Sequence, residues 1–410
     1  MTFSKRILFI SNGHGEDNHS SYIIQTLREL CPSIEIVAMP LVGEGQAYRR
    51  LHIPIIGPTR NLPSGGFSYM NRLLLLKDIQ AGLLGLTWQQ LQAVRKVARD
   101  CDLIHATGDG VGQSFAYLTG RPFVSFISCL SSLYEGRLNL DPILKFILRS
   151  PRCLTVFTRD PYTAKDLQAQ GLSKVQFGGI PSLDRLLPTG KDLHLDPGVP
   201  MLALLPGSRL PEAEDNLRLQ LRLAVEIAKI SPPRSVQFRA ALVSGLMAKL
   251  PEIATGEGWQ YEGEKIIYPS AEVEIRCYND AFNDILHKTT LVIGMAGLAV
   301  DQAVAIGKPV IQIPGKGPQF TYAFAEAQTR LLGISAQTIG TEPATPEILR
   351  QAARGVLETL ADKEYLAACV KNGIDRLGTP GASFRIARYL LETLGETPVE
   401  TVNITGGAGI

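Results

Sequence analysis

Of all stretches in this 410-residue chain, Leu202-Ala203-Leu204-Leu205-Pro206-Gly207-Ser208-Arg209 most limits the fold. An apolar run passes straight into a tight polar turn. Leu210-Pro211-Glu212-Ala213-Glu214 follows, with Pro211 suited to the first turn of a helix. So short and uniform a run fits a strand covered on both faces, as parallel strands of α/β proteins are. That strand delivers Gly207, Ser208 and Arg209 to a helix N-terminus, where backbone N–H groups and the positive dipole end attract phosphate. The pattern suits a diphosphate cradle. It suits equally an ordinary strand–loop–helix turn, since many α/β loops hold Gly and Ser.

The amino-terminal end follows the same logic. Residues 6–11 form a β-branched run suited to the first strand of a parallel sheet. Ser11-Asn12-Gly13-His14-Gly15-Glu16-Asp17-Asn18 follows, then a helical pattern from about His19 to Leu30. In a doubly wound sheet this loop lies at the carboxyl edge, where ligands bind. Gly13 and Gly15 admit a ligand close to the backbone, and His14, Glu16 and Asp17 gather three titratable groups. A glycine turn with Asp17 or Asn18 capping the helix is the plainer reading. A second acidic loop, Gly108-Asp109-Gly110, follows the run Cys101-Asp102-Leu103-Ile104-His105-Ala106-Thr107. Asp109 there suits a general base for a hydroxyl proton, or an N-cap for a helix starting near Val111.

One core usually covers roughly 250–300 residues, so two domains with a cleft between them are expected. Further strands are expected at 34–39, 53–57, 102–106, 122–128, 153–157 and 174–177. A second series is expected at 201–205, 236–243, 273–277, 290–293 and 309–313, with helices between. Pro188, Gly190, Pro197, Gly198 and Pro200 mark 188–200 as a linker. The domains are therefore expected at 1–187 and 201–378. A helix over 379–395, free to cross back to the first domain, and a flexible tail over 396–410 complete the chain.

In the second half, Val292-Ile293-Gly294-Met295-Ala296-Gly297-Leu298 reads as a strand end opening into a helix. Asp301, one turn in, either accepts hydrogen bonds from a ribose diol or compensates the dipole. Pro314-Gly315-Lys316-Gly317-Pro318-Gln319-Phe320-Thr321 is either a rigid connector or a loop whose Lys316, Gln319 and Thr321 reach a phosphate or sugar.

Composition excludes several classes. Lys and Arg number 41 against 39 Asp and Glu, a balance that speaks against a nucleic-acid partner. Six scattered cysteines without a Cys-x-x-Cys pair read as reduced core residues of a cytoplasmic protein, and no metal-ligand spacing occurs. Ile7-Leu8-Phe9-Ile10 is too short for a signal peptide, and no run of 18 apolar residues predicts a membrane span. The helical section 69–99, with Leu73–Leu76, Leu83-Leu84-Gly85-Leu86-Thr87-Trp88 and flanking Arg72, Lys77, Arg95, Lys96 and Arg99, either packs into its own core or rests on an anionic bilayer. There is no P-loop pattern and no Gly-x-Ser-x-Gly elbow, which removes kinase and serine-hydrolase readings.

With these elements laid out, the chain resembles the lipid-A-disaccharide synthase family. The octapeptide ending in Pro206-Gly207-Ser208-Arg209, with Glu212 and Glu214 beyond it, looks like that family's nucleotide-binding turn. It is also similar to the transferase that adds N-acetylglucosamine to lipid-linked peptidoglycan precursors. Asp301 with Gly307-Lys308-Pro309 falls where these enzymes carry Glu-x-x-x-x-x-Gly-x-Pro, with Asp in place of Glu. His14 to Asp17 match the position of the family's acidic glycine loop, and Asp109 lies near its catalytic Asp. Asn12-Gly13-His14-Gly15 departs from the family's Gly-Glu-Thr-Ser-Gly, and Met295-Ala296-Gly297 from its Ser-Gly-Thr type turn, which leaves acceptor and sugar open.

The resemblance implies a GT-B fold, two doubly wound Rossmann-like domains facing across a cleft, and an inverting, metal-independent hexosyltransferase without a cofactor. A UDP-sugar is its implied donor and a lipid or glycolipid its acceptor, with peripheral contact at the cytoplasmic face of the inner membrane an open alternative. Asp109, His14 and Asp17 are the implied candidates for catalysis, and Gly13, Gly15 and Glu16 line the acceptor side. By the same resemblance Gly207, Ser208, Arg209, Met295, Ala296, Gly297, Leu298, Asp301, Gln302 and Gln319 are expected to face the nucleotide-sugar. Two rivals keep the fold: a UDP-sugar 2-epimerase without an acceptor, and a non-catalytic nucleotide-sugar-binding scaffold.

Overall fold

The computed structural model describes residues 4–60, 78–317 and 320–399. The chain divides into two compact units, one of residues 1–185 with 379–410, the other of 186–378.

The first unit is built on a six-stranded parallel sheet of β1 (Arg6–Ser11), β2 (Glu35–Pro40), β3 (Leu103–Thr107), β4 (Phe123–Ile127), β5 (Cys153–Thr158) and β6 (Val175–Phe177). Its order is β2-β1-β3-β4-β5-β6. The order in which the chain adds strands therefore reverses between β1 and β3, and the loops leaving those two strands flank the crevice where doubly wound sheets bind ligands. The helices are α1 (His14–Leu30), α2 (Gln46–Arg50), α3 (Leu83–Val97), α4 (Gly110–Leu118), α5 (Pro142–Arg149) and α6 (Pro161–Ala169). Alternation along β1 sorts the two faces: Leu8 and Ile10 pack with Val94, Phe115, Leu144 and Leu167 of α3 to α6, whereas Ile7 and Phe9 pack with Ile23, Ile24 and Leu27 of α1.

The helix Ala382–Leu394 also belongs to this unit. Ile386, Leu390 and Leu391 join the α1 face. Asp184 holds its N-terminus, accepting from the backbone N–H of Gly381, Ala382 (3.2 Å) and Ser383 (2.6 Å). A carboxylate there satisfies otherwise orphaned donors and complements the dipole.

The second unit carries an eight-stranded sheet of β7 (Met201–Leu205), β8 (Gln237–Ala241), β9 (Gln260–Glu262), β10 (Lys265–Tyr268), β11 (Val273–Tyr278), β12 (Leu291–Gly294), β13 (Val310–Gln312) and β14 (Ala336–Thr338). The order is β14-β13-β12-β7-β8-β11-β10-β9, parallel except for the β9–β10–β11 edge. Here the reversal falls between β7 and β12. The helices are α7 (Glu212–Ile230), α8 (Ser244–Met247), α9 (Leu250–Gly256), α10 (Phe282–Lys288), α11 (Leu298–Ala305), α12 (Tyr322–Leu332), α13 (Pro346–Ala361) and α14 (Lys363–Leu377). Leu202 and Leu204 pack with Leu217, Leu221 and Ala224 of α7 and with Ala352 and Val356 of α13. The stretch after Leu186 is fastened to α10: Asp284 accepts from the backbone N–H of Thr189, Gly190 and Lys191 and from the Thr189 hydroxyl, at 2.7–3.2 Å.

Several elements differ from the sequence expectations. Residues 53–57 form no strand: they run beside β2, with Ala38 N–H donating to Pro54 O and Ile56 N–H to Ala38 O. Pro54 has no N–H, so the ladder stops at one bridge. Residues 14–18 are the first turn of α1, not a loop, with Glu16 and Asp17 where the dipole favours acids. From the section expected to be helical over 69–99, α3 begins after Gly82. Residues 69–77, Gln319 and the tail from 400 lie outside the described residues. All six cysteines are free thiols. No helix among the described residues is long and apolar enough to cross a membrane.

Candidate functional site

In the second unit the residues after β7, β12 and β13 converge because the first two turns of α7 bind all three loops. Glu212, Asn216 and Gln220 recur every four residues, so they share one face, and all three are buried. Asn216 Nδ2 donates to Pro206 O (3.0 Å) and Met295 O (3.4 Å), and Gln220 Nε2 donates to Ile293 O (3.0 Å). Glu212 Oε1 accepts from the backbone N–H of Phe320 (2.7 Å). Gly207 has φ +99°, a conformation that disfavours a side chain, and a Cβ there would stand 3.1 Å from Met295 O. The turn Pro206–Arg209 thus lies directly against Met295, at the start of Met295-Ala296-Gly297 and at the point where the strand order reverses. The start of α11 (Leu298–Ala305) follows two residues after Met295, at the strand-order switch where doubly wound sheets receive ligands.

Asp301 and Gln302 lie on the first turns of α11 and are buried, Asp301 with 6% exposure. Gln328 of α12 donates through Nε2 to Gly297 O (3.0 Å) and to Asp301 Oδ1 (3.3 Å). Its Oε1 accepts from Gln312 Nε2 of β13 (2.6 Å), and Gln312 Oε1 accepts from the Thr338 hydroxyl of β14 (3.2 Å). Gly207, Ser208, Arg209, Met295, Ala296, Gly297, Leu298, Asp301 and Gln302 therefore come together on adjoining loops and the start of one helix.

In the first unit the loops after β1 and β3 meet through a hydrogen bond. Asn12 Nδ2 donates to Asp109 Oδ1 (2.7 Å), which also accepts from Val111 N–H (2.9 Å) as the N-cap of α4. Both readings of Asp109 thus stay compatible with its position. Burial raises its pKa, opposed by the hydrogen bonds from Val111 and Asn12. Glu16 folds over Gly13 and against Gly108, and the His14 ring lies against Gly43. Gly15 has open space around its Cα.

Asp17 is placed differently from its neighbours. It is 1% exposed, and its Oδ1 accepts from the Ser11 hydroxyl (2.6 Å), which is also 2.6 Å from the Tyr48 hydroxyl. Burial pushes its pKa up to about 7, against the lowering effect of the Ser11 bond. His19, edge-on to Phe126, and His105, against Phe9, are held neutral, pushed by burial to about 3. Sequence reading missed Asn12, Asn216, Gln220, Gln312 and Gln328. Only α7 carried a visible signal, a polar residue every fourth position among Ala213, Leu217, Leu221 and Ala224. Among the described residues no group of three or more His, Cys, Asp or Glu is arranged to hold a metal ion.

No family model matches the chain. A lipid-A-disaccharide synthase of Geobacter sulfurreducens is 26% identical over 239 residues, which is 54% of this chain. The aligned part spans 58% of that relative's length. Among solved structures, a UDP-GlcNAc 2-epimerase from Neisseria meningitidis bound to UDP-GlcNAc has TM-score 0.58 at 14% identity, covering 94% of this chain and 100% of that one. MurG of Acinetobacter baumannii has TM-score 0.57 at 14% identity, with 95% and 99% covered. CalG4, the calicheamicin glycosyltransferase, has TM-score 0.59 at 13% identity, with 96% and 99% covered. The chain has the GT-B fold of two Rossmann-like domains shared by glycosyltransferases and epimerases, and in sequence it resembles lipid-A-disaccharide synthase.

Proposed function

We propose that this protein is an inverting, metal-independent hexosyltransferase. It moves N-acetylglucosamine or a related hexose from a UDP-sugar to a hydroxyl of a lipid-linked or glycolipid acceptor. One observation carries the reading: at the β7/β12 reversal, a positive-φ glycine turn with Ser208 and Arg209 packs on the loop that opens α11. The sequence likeness to lipid-A-disaccharide synthase supports the acceptor class, and the epimerase structure bound to UDP-GlcNAc supports the donor class.

Departure of UDP builds negative charge on the diphosphate while the anomeric carbon turns cationic. Backbone N–H groups of both loops, the Ser208 hydroxyl and the Arg209 guanidinium offset that charge, and one lost donor of this type costs roughly 2.7–4 kcal/mol in catalysis. Asp301 and Gln302 hold ribose or sugar hydroxyls. Asp109 takes the acceptor proton as the new bond forms opposite the leaving UDP, which inverts the anomeric centre. Its raised affinity for a proton suits a base. His14 is the second candidate, and Asp17, enclosed with the buried Ser11 hydroxyl, is the least accessible of the three.

A lipid acceptor calls for a surface that meets lipid. On the first unit, Ile143 (70% exposed) and Phe146 (63%) of α5 stand out beside Val111 and Leu118 of α4, with Leu84 and Trp88 exposed on α3. Tyr117 of α4 meets Phe146 edge-on at 5.8 Å, and Arg152 covers the Tyr117 ring at 4.0 Å. Apolar side chains bordered by Lys145, Arg149 and Arg152 match the chemistry of an anionic bilayer surface. This reading places the protein peripherally on the cytoplasmic membrane face.

The second reading is a UDP-sugar 2-epimerase, favoured by the solved structures of that activity. Incubation with UDP-N-acetylglucosamine, with and without a lipid-linked sugar acceptor, separates the two. UDP release that needs the acceptor supports transfer. Formation of the 2-epimer without any acceptor supports epimerisation. Nucleotide binding with neither product supports the scaffold.

A further inference from the structure

Gln328 lies outside every group of residues assigned above to donor or acceptor, yet its amide is fixed at each end. Its Nε2 donates to Gly297 O and Asp301 Oδ1, while its Oε1 accepts from Gln312 Nε2. Gln312 is oriented in turn by the hydroxyls of Thr338 (3.2 Å) and Thr329 (3.5 Å), which are 2.9 Å from each other. A side-chain amide has one acceptor oxygen and two N–H donors, so this chain of bonds allows only one orientation of each amide. Thr338 on β14, half-buried, with the buried Gln312 on β13 and Gln328 on α12 thus form a polar relay that ends on the carboxylate of α11.

We infer that Gln328 is a positioning residue for nucleotide recognition, setting the Asp301 carboxylate so that it accepts from the ribose diol. This inference rests on the donor reading above and adds a specificity determinant to it. A carboxylate on a helix otherwise has several rotamers, and each would offer its oxygens in a different direction. The bond to Gln328 selects one of them, and the second donation to Gly297 O ties that choice to the loop facing the Gly207 turn. Diol recognition therefore depends on residues that never touch the ligand. Polar sites built in this way reject analogues lacking the matching hydroxyl, because the hydrogen bond for which the carboxylate was set is then not made.

The test compares UDP with 2′-deoxy-UDP, measured by calorimetry on the full chain and on Gln328→Leu and Gln328→Glu. The second variant keeps the side chain's length and the bond from Gln312 but replaces the donating N–H groups with carboxylate oxygen. The unaltered protein is expected to prefer UDP by roughly tenfold or more. Both variants should lose that preference, with affinity for 2′-deoxy-UDP changed less than threefold. A purely structural role would weaken both ligands together and leave their ratio intact, which overturns the inference, as does equal binding of the two by the unaltered protein. Absence of any UDP binding by the unaltered protein marks failure of the donor reading instead. Circular dichroism of each variant establishes that it is folded, and a preserved ratio in either folded variant is sufficient to reject the relay.

Discussion

Asn216→Ala tests whether the donor loops are held together as described. Asn216 is buried, and its Nδ2 is the donor to Pro206 O at 3.0 Å and to Met295 O at 3.4 Å. Truncation removes one good and one long hydrogen bond and strands at least one buried carbonyl, worth about 1–3 kcal/mol. A small void adds to that loss. Taking about 2 kcal/mol, a unit of this size should melt roughly 4–8 °C lower. Asn216→Asp sharpens the result, because its shape is nearly unchanged but an ionised carboxylate cannot donate and faces two carbonyls. That variant should be the less stable of the two at pH 7 and recover as pH falls and the carboxyl becomes protonated. Differential scanning calorimetry measures stability, and UDP titration measures the site, where both variants should bind at least several-fold more weakly. Unchanged melting and unchanged UDP affinity in Asn216→Ala would refute the idea that α7 clamps the two loops.

The remaining expectations concern the first unit. Asp109→Asn should lower turnover by roughly 10²–10⁴ while UDP affinity stays within twofold, and equal losses in both would count against a base. Asp17, with its folded pKa raised to about 7, binds its proton more tightly folded than unfolded. Its contribution to stability is therefore present below about pH 4 and lost as pH rises to 7. The stability difference between the wild type and Asp17→Asn should fall by about 1.4 kcal/mol per pH unit across that window, and a flat difference contradicts it. Taking this difference cancels the opposite slope from His19 and His105, whose lowered pKa values make acid destabilising. Asp184→Ala should cost about 1–2 kcal/mol and speed hydrogen exchange in 382–394 before the rest of the unit. Replacing Ile143 and Phe146 together by Glu should abolish sedimentation with anionic vesicles while lowering stability by no more than about 1 kcal/mol, the loss of the Phe146–Tyr117 edge contact.

Much of the fold was legible because its central strands are uniformly apolar. The runs behind β1, β7 and β12 can only sit in the middle of a covered sheet, and each is followed by a glycine-containing loop and a helix. The β9–β10 hairpin escaped notice because Gln260-Tyr261-Glu262 is an exposed edge strand with no apolar alternation. The first turn of α1 was hidden by Gly15 and by the polar residues His14 to Asn18, whose helical state depends on the dipole and on Glu16 and Asp17. In the candidate site, Gly207, Asp109 and Asp301 stood out through their immediate neighbours in sequence. Asn12, Gln312 and Gln328 did not, because each is defined by a partner far away in the chain, and a lone amide gives no local pattern. Asp17 shows the converse, a conspicuous residue in sequence that folding turns inward onto Ser11.

A crystal structure with UDP bound tests the donor site most directly. The diphosphate is expected within hydrogen-bonding distance of backbone N–H groups of Gly207–Arg209 and Gly297–Leu298, with a ribose hydroxyl on the Asp301 carboxylate. A diphosphate bound elsewhere on the protein, or one seated there with the ribose turned away from Asp301, would contradict it.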